Sequence, residues 1–375
     1  MTVFKPGRVA AAALLAAGAV AAHAESLQAE KLCICWVTSL STDGSAAAGN
    51  LSWNEGIMRW TRKDGVKALG RNAYAALGAG GGTPRISSNG KVVAATILDA
   101  TGTYATSGRW TASGGWLELD HPLPPDGGIM DAEDSAVFGM SGDGNVVTGL
   151  YWRPGQSGGS AHASVWQAAT GMLGMPTEGG SSRIDGASYD GSLLSGWEED
   201  QTGARQATIW THGVKTPLDP ASFTSEASFV NGPGTVIVGT SIDPDTQRTE
   251  ATKWTWNGSG WDKRLLGFGK GSTTSGSSYA IATSDDGSVV VGQYRRKFST
   301  FSDGAFVWTA ESGLVDAARW LQVNGVDIHP DKFSILQVSA ISADGRVLSF
   351  VGQDTVPPFA TRTYLVTRLD AARAH

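Results

Sequence analysis

Small and apolar residues alternate along Tyr279-Ala-Ile-Ala-Thr-Ser284, stop at Asp285-Asp286-Gly287, and give way to a β-branched run from Ser288 to Gly292. A period of two places successive side chains on opposite faces of a strand, and Asp and Gly tolerate the positive φ of a tight hairpin turn. A looser stretch, Gln293 to Asp303, leads into Ala305-Phe-Val-Trp-Thr309, and Glu311-Ser-Gly313 turns the chain into the short run Leu314-Val-Asp316. The pattern predicts four antiparallel strands joined as a meander. Helical periodicity is nearly absent beyond the first two dozen residues, and only Leu314 to Leu321 is long enough for a turn or two.

The same pattern recurs along the chain. Turns of the type S-x-D-G-x-V-V-x-G carry Gly44, Gly90, Gly144, Gly191, Gly234, Gly287 and Gly345, and roughly 20 residues later each is followed by an anchor. The anchors are Trp60, Trp110, Trp166, Trp210, Trp254, Trp308 and, in the last copy, Val366. Copy five is the weakest at the turn, with Asn231-Gly-Pro-Gly234 in place of S-x-D-G. A spacing of 43 to 58 residues with four strands per unit matches a propeller blade, in which small sheets stack radially around a channel. The expected fold is therefore all-β, a seven-bladed β-propeller of four-stranded antiparallel blades. The last copy lacks a convincing fourth strand, so residues 26–32 are expected to supply it and close the ring. A large aromatic once per blade is accounted for by packing between sheets.

The first residues change the picture of compartment. Lys5 and Arg8, an apolar run from Val9 to Ala22 and the small residues around Ala22-His23-Ala24 have the form of a secretory signal, with cleavage expected after Ala24 and a single domain over 25–375. Loss of that segment removes two positive charges and no acidic ones, taking the net charge from −6 to −8. No later stretch is apolar enough to span a membrane, and nucleic acid is an unfavourable partner for an acidic chain without clustered Lys and Arg. Cys33 and Cys35 are the two cysteines. On one strand their i, i+2 spacing is awkward for a disulfide, so packed thiols are expected.

The turns, together with Ala305-Phe-Val-Trp308 and His162-Ala-Ser-Val-Trp166, resemble the HAF-type repeats of bacterial extracellular proteins, which also occur in autotransporter-like passengers. The resemblance covers nearly all of 25–375. It implies a propeller outside the cytoplasm and no shared catalytic residues.

Candidate chemistry is confined to the longer connections between second and third strands, where variable loops sit on a rigid ring. They hold Trp53, Trp152, Arg153, Trp197, Glu198, Tyr294 and Arg295, and aromatics beside carboxylates and arginines suit a saccharide. Adjacent Glu198 and Glu199 point to opposite faces of a strand and cannot flank one glycosidic bond. The histidines His121, His162, His212, His329 and His375 lack metal spacing, and no nucleophile, phosphate-loop or cofactor motif is present. The reading is a secreted propeller that binds a polysaccharide or an extracellular protein without catalysis, using no metal or cofactor. The alternatives are a polysaccharide lyase or hydrolase with carboxylates from different blades, and a structural surface protein.

Overall fold

In the computed structural model, residues 26–51, 56–71, 73, 81–119, 135–152, 161–177, 180–219, 224–268, 276–295, 303–326, 328 and 332–369 are described. They form seven four-stranded antiparallel sheets and one helix described along its length, α1 (Ala317–Val323). The expected signal segment lies outside the described residues. The first strands of the sheets are Trp36–Leu40, Arg85–Ile86, Ser135–Met140, Ser182–Ala187, Ser225–Val230, Ser277–Thr283 and Phe333–Ile341. Each contacts the next, and the seventh contacts the first, so they surround a common axis. The result is the seven-bladed propeller that the repeat implies. Blades 1 to 6 each use four consecutive strands, whereas blade 7 pairs Thr361–Leu369 with Ser26–Cys33.

Burial follows position in the blade. Second strands such as Val146–Trp152 and Val236–Ile242 are buried along nearly their whole length, because neighbouring blades cover both faces. That explains their β-branched and glycine-rich composition in place of a polar alternation. Fourth strands such as Val214–Pro217 lie at the outer edge and are largely exposed. The repeated tryptophans fill the wedges between blades, and Trp210 and Trp254 are almost completely buried.

The S-x-D-G turn works by side-chain hydrogen bonding. Ser141 Oγ donates to Asp143 Oδ1 at 2.7 Å and accepts the Val146 N–H at 2.9 Å, while Asp143 Oδ1 accepts the Asn145 N–H at 2.9 Å. Gly144 completes the turn with φ of 73°, and an added Cβ would lie 2.8 Å from a methyl of Val92 in the preceding blade. The irregular copy five keeps the same bonds by other means, since Asn231 Oδ1 accepts the N–H groups of Thr235 and Val236.

The turns also join to one another. Thr42, Ser88, Gly142 and Tyr189 each donate their N–H to the carbonyl of the matching residue one blade on, the last being Gly232. Gly232 donates instead to Asp285 Oδ1, Asp285 donates to Ala343 O, and Ala343 donates back to Thr42 O. Seven hydrogen bonds thus encircle the axis on the face that carries the turns. A second series staples the blades at the opposite face. Ser107, Ala163, Ala207 and Ala251 donate their N–H to Ser135, Ser182, Ser225 and Ser278 Oγ of the following blade, at 2.8 to 2.9 Å.

One expectation is corrected. Cys33 and Cys35 form a disulfide, with Cα atoms 5.3 Å apart. They do not share one strand: Cys33 ends the outermost strand of blade 7, the chain bends at Ile34 and Cys35, and Trp36 begins the innermost strand of blade 1. The bend removes the geometric objection that applies to an extended strand.

Candidate functional site

The second-to-third-strand connections and the links between blades lie at the end of the sheets opposite the turn ring, and here a chain of charges runs inward from the seam between blades 4 and 5. Arg205 opens the third strand of blade 4, and its Nη1 donates to Glu226 Oε1 of blade 5 at 2.6 Å. Glu226 Oε2 lies 3.9 Å from Arg183 Nη2, and Arg183 Nε donates to Asp185 Oδ1 at 2.6 Å. Below them, Arg85 of blade 2 donates from Nε to Phe138 O and from Nη2 to Asp185 O, at 2.6 and 3.2 Å, tying blades 2, 3 and 4 together. Side-chain exposure falls from 42% at Arg205 to 23% and 22% at Glu226 and Arg183 and 6% at Asp185.

Aromatic rings lie against the guanidinium groups. Arg205 lies 4.1 Å from the Trp197 ring centroid, and Arg183 lies between Trp197 and Phe138, at 5.4 and 4.4 Å. A bulge skips Asp185 in the strand register, so Ile184 and Asp185 are both buried although consecutive. Burial pushes the Asp185 carboxyl up, with the Arg183 charge opposing it, and its Oδ2 has no hydrogen-bond partner among the described residues. Burial likewise pushes Arg85 down, to about 10. For Arg183 burial disfavours the charge, but Asp185 and Glu226 outweigh it and the group is raised.

The residues singled out in the sequence are dispersed. Trp197, on the second strand of blade 4, is buried beneath the two arginines. Glu198 points to the other face of the strand, where it accepts from Lys215 Nζ at 3.1 Å. Trp152 ends the second strand of blade 3 and is 38% exposed. Tyr294 donates to Asp316 Oδ2 at 2.6 Å beside α1, and Arg295 stacks on Tyr279 at 4.9 Å. Trp53 and Arg153 lie outside the described residues. Sequence reading missed Arg85, Arg183, Asp185 and Glu226, which come from first strands of three blades. The signal available was that first strands, otherwise small or apolar, carry charges at these places.

At the turn face the channel mouth narrows around Tyr189. Its hydroxyl crosses to blade 6, donating to Asp285 Oδ2 at 2.9 Å, and accepts from Thr42 Oγ1 of blade 1 at 3.4 Å. Burial, with Asp285 beside it, pushes the phenol up to about 12. The ring lies where side chains at Gly142 and Gly232 would stand, and the space around it is a cavity of about 100 Å³.

No family model matches the chain, and no curated protein matches it in sequence. Among solved structures, the β-propeller domain of Cps50 (Swd1) from Myceliophteria thermophila is 9% identical with a TM-score of 0.50, covering 90% of this chain and 98% of that one. A puromycin-hydrolyzing peptidase of Mycobacterium tuberculosis is 12% identical with a TM-score of 0.52, covering 88% of this chain and 51% of that one. A prolyl endopeptidase is 12% identical with a TM-score of 0.52, covering 90% and 47% respectively. This chain spans about half the length of either peptidase, and at such identities the likeness is one of fold. Among the described residues, no helix is long and apolar enough to cross a membrane.

Proposed function

We propose that this chain is an exported propeller that binds an extracellular polysaccharide at the channel mouth on the long-loop face, without turning it over. The observation that carries the reading is the wall of Arg205, Glu226 and Arg183 over Trp197. Guanidinium and carboxylate groups held by one another against a buried ring present hydrogen bonds in fixed directions, so little ordering cost remains when hydroxyls replace water. Trp152, on the same face one blade away, adds an exposed apolar ring. Export is read from the form of residues 1–24, two basic residues, an apolar run and small residues before Ala24. Affinity electrophoresis in gels cast with single polysaccharides tests the site. Arg205→Ala is expected to abolish retardation, whereas Lys215→Ala, on the fourth strand and the opposite face of the sheet, leaves it unchanged. Equal retardation of both variants and the parent would refute this site.

A second reading, a lyase or hydrolase, is favoured by one observation. Asp185 and Glu226 come from different blades, both meet Arg183, and burial raises the Asp185 carboxyl in the direction a general acid needs. That reading requires release of oligosaccharides and its loss in Asp185→Asn.

A further inference from the structure

The passage from blade 7 to blade 1 is the tightest in the ring. Two residues, Ile34 and Cys35, separate the outermost strand Ser26–Cys33 from the innermost strand Trp36–Leu40, whereas at least seven separate any other consecutive blades among the described strands. The Cys33–Cys35 disulfide sits on this passage and holds the two Cα atoms 5.3 Å apart, where an extended chain would allow up to about 7 Å. Loop-closure entropy grows with loop size, so a bridge between residues i and i+2 acts chiefly on the bend itself.

Both ends of the disulfide hang on one buried residue of blade 7. Thr363 pairs through its backbone with Cys33, and its hydroxyl donates to the Cys35 carbonyl and accepts the Val37 N–H. Thr363 serves Cys33 and Cys35 together only while the two stay close, and the sulfur bridge sets that distance. Leu32 is skipped in the register just before Cys33, so the ladder is already interrupted beside the bend. Beyond that bulge the strand is held by backbone pairing and by partial burial of Leu27 and Ala29, while Gln28, Glu30 and Lys31 are exposed.

We propose that the Cys33–Cys35 disulfide is a redox latch on ring closure: reduction by a dithiol lets the bend extend, so that Ser26–Cys33 detaches from blade 7 more often, and reoxidation seats it again. Cys33 is only partly buried whereas Cys35 is 2% exposed, which directs attack to Cys33 Sγ. A thiolate of the dithiol attacks that sulfur and displaces the Cys35 thiolate, which takes up a proton. The second thiol of the dithiol then attacks its own sulfur in the mixed disulfide and releases Cys33 as a thiol. Two electrons and two protons pass to the protein, and the dithiol leaves as a cyclic disulfide. The latch stands or falls independently of polysaccharide binding.

Hydrogen–deuterium exchange of purified protein spanning residues 25–375, with and without dithiothreitol, tests the latch, and thiol titration in urea counts the free cysteines in each state. The untreated protein is expected to show no free thiol and the reduced protein two. Protection of amides in Ser26–Cys33 is expected to fall at least about tenfold on reduction and to lie below that of Val236–Ile242 in blade 5, the mark of local opening. Reoxidation restores it. Cys33→Ser combined with Cys35→Ser is expected to exchange like the reduced protein and to ignore dithiothreitol. Free thiols before reduction, unaltered protection of Ser26–Cys33 after it, one common protection for both strands, or a response to dithiothreitol that survives in the double variant would each overturn the proposal.

Discussion

Thr363 and Cys35 close the ring across a separation of 328 residues: Thr363 Oγ1 donates to the Cys35 carbonyl at 2.8 Å and accepts the Val37 N–H at 3.3 Å. In blades 3 to 6 the corresponding contact is made by a serine on the first strand, Ser135, Ser182, Ser225 or Ser278, and Cys35 occupies that place in blade 1. The hydroxyl has moved to the other side of the seam. Thr363→Val leaves buried backbone groups short of a partner and is expected to cost about 1–3 kcal/mol in urea unfolding. Deletion of residues 26–32, which carry most of the outermost strand of blade 7, is expected to abolish the cooperative transition. An unchanged melting temperature in the deletion would exclude ring closure by this strand.

Two glycines separate backbone strain from crowding. Gly171 has φ of 75° and open space around an added methyl, with nothing within 4 Å, whereas at Gly144, φ 73°, that methyl would meet Val92 at 2.8 Å. Gly171→Ala is expected to cost about 1–2 kcal/mol from the left-handed backbone alone. Gly144→Ala adds an overpacking cost of about 1–3 kcal/mol. Equal losses for the two variants in chemical denaturation would show that the turn does not pack against the preceding blade.

The fold was legible because each blade repeats its own turn chemistry and anchor, so Ser141, Asp143, Gly144 and Trp166 carry the same message as their six counterparts. The candidate site was not, because Arg85, Asp185 and Glu226 are single departures from the repeat on three blades, and nothing local marks Asp185 as the residue a bulge turns inward. Trp197 was visible as an aromatic, but its burial under Arg183 and Arg205 depends on packing between blades 4 and 5. The disulfide was misjudged for a related reason, since the bend at Ile34 marks the passage between blades and is not encoded by the C-x-C spacing.

Acid should loosen the turn ring. Asp190 is held down at about 2, chiefly by the Ser192 N–H with Ser188 and Ser192 hydroxyls, and Asp43, Asp143 and Asp286 are also lowered, turn hydrogen bonds outweighing the opposing effect of burial. A carboxylate with a depressed folded-state value contributes its full stability above the unfolded value of 3.8 and loses it as pH falls through the folded one. Urea midpoints are therefore expected to drop as pH falls from about 4 to about 2. Asp185 and Asp285, raised by burial, act in the opposite sense, but their gain comes as pH falls through their raised values towards 3.8, ahead of this loss. Ser188→Ala should flatten the acid limb, and an unaltered limb would remove the turn aspartates as its cause.

Tyr189 ties three blades at the turn face. Tyr189→Phe loses the bond to Asp285 and is expected to cost about 1 kcal/mol, read as a lower urea midpoint with an unchanged slope. Gly232→Ala is expected to cost more, since its methyl would stand 2.0 Å from a ring carbon of Tyr189. Restoration of that loss in Gly232→Ala with Tyr189→Ala would confirm that the ring is the obstacle, and no restoration would deny it.

The most direct measurement is incubation of purified protein spanning residues 25–375, and of its Arg205→Ala and Glu226→Gln variants, with a panel of bacterial and plant polysaccharides, scoring retention and released oligosaccharide together. Retention of at least one polysaccharide by the parent, lost in both variants without a fall in melting temperature and without chain shortening, is the predicted result. Retention that survives both substitutions, or oligosaccharide release that Asp185→Asn abolishes, would contradict a non-catalytic site at the channel mouth.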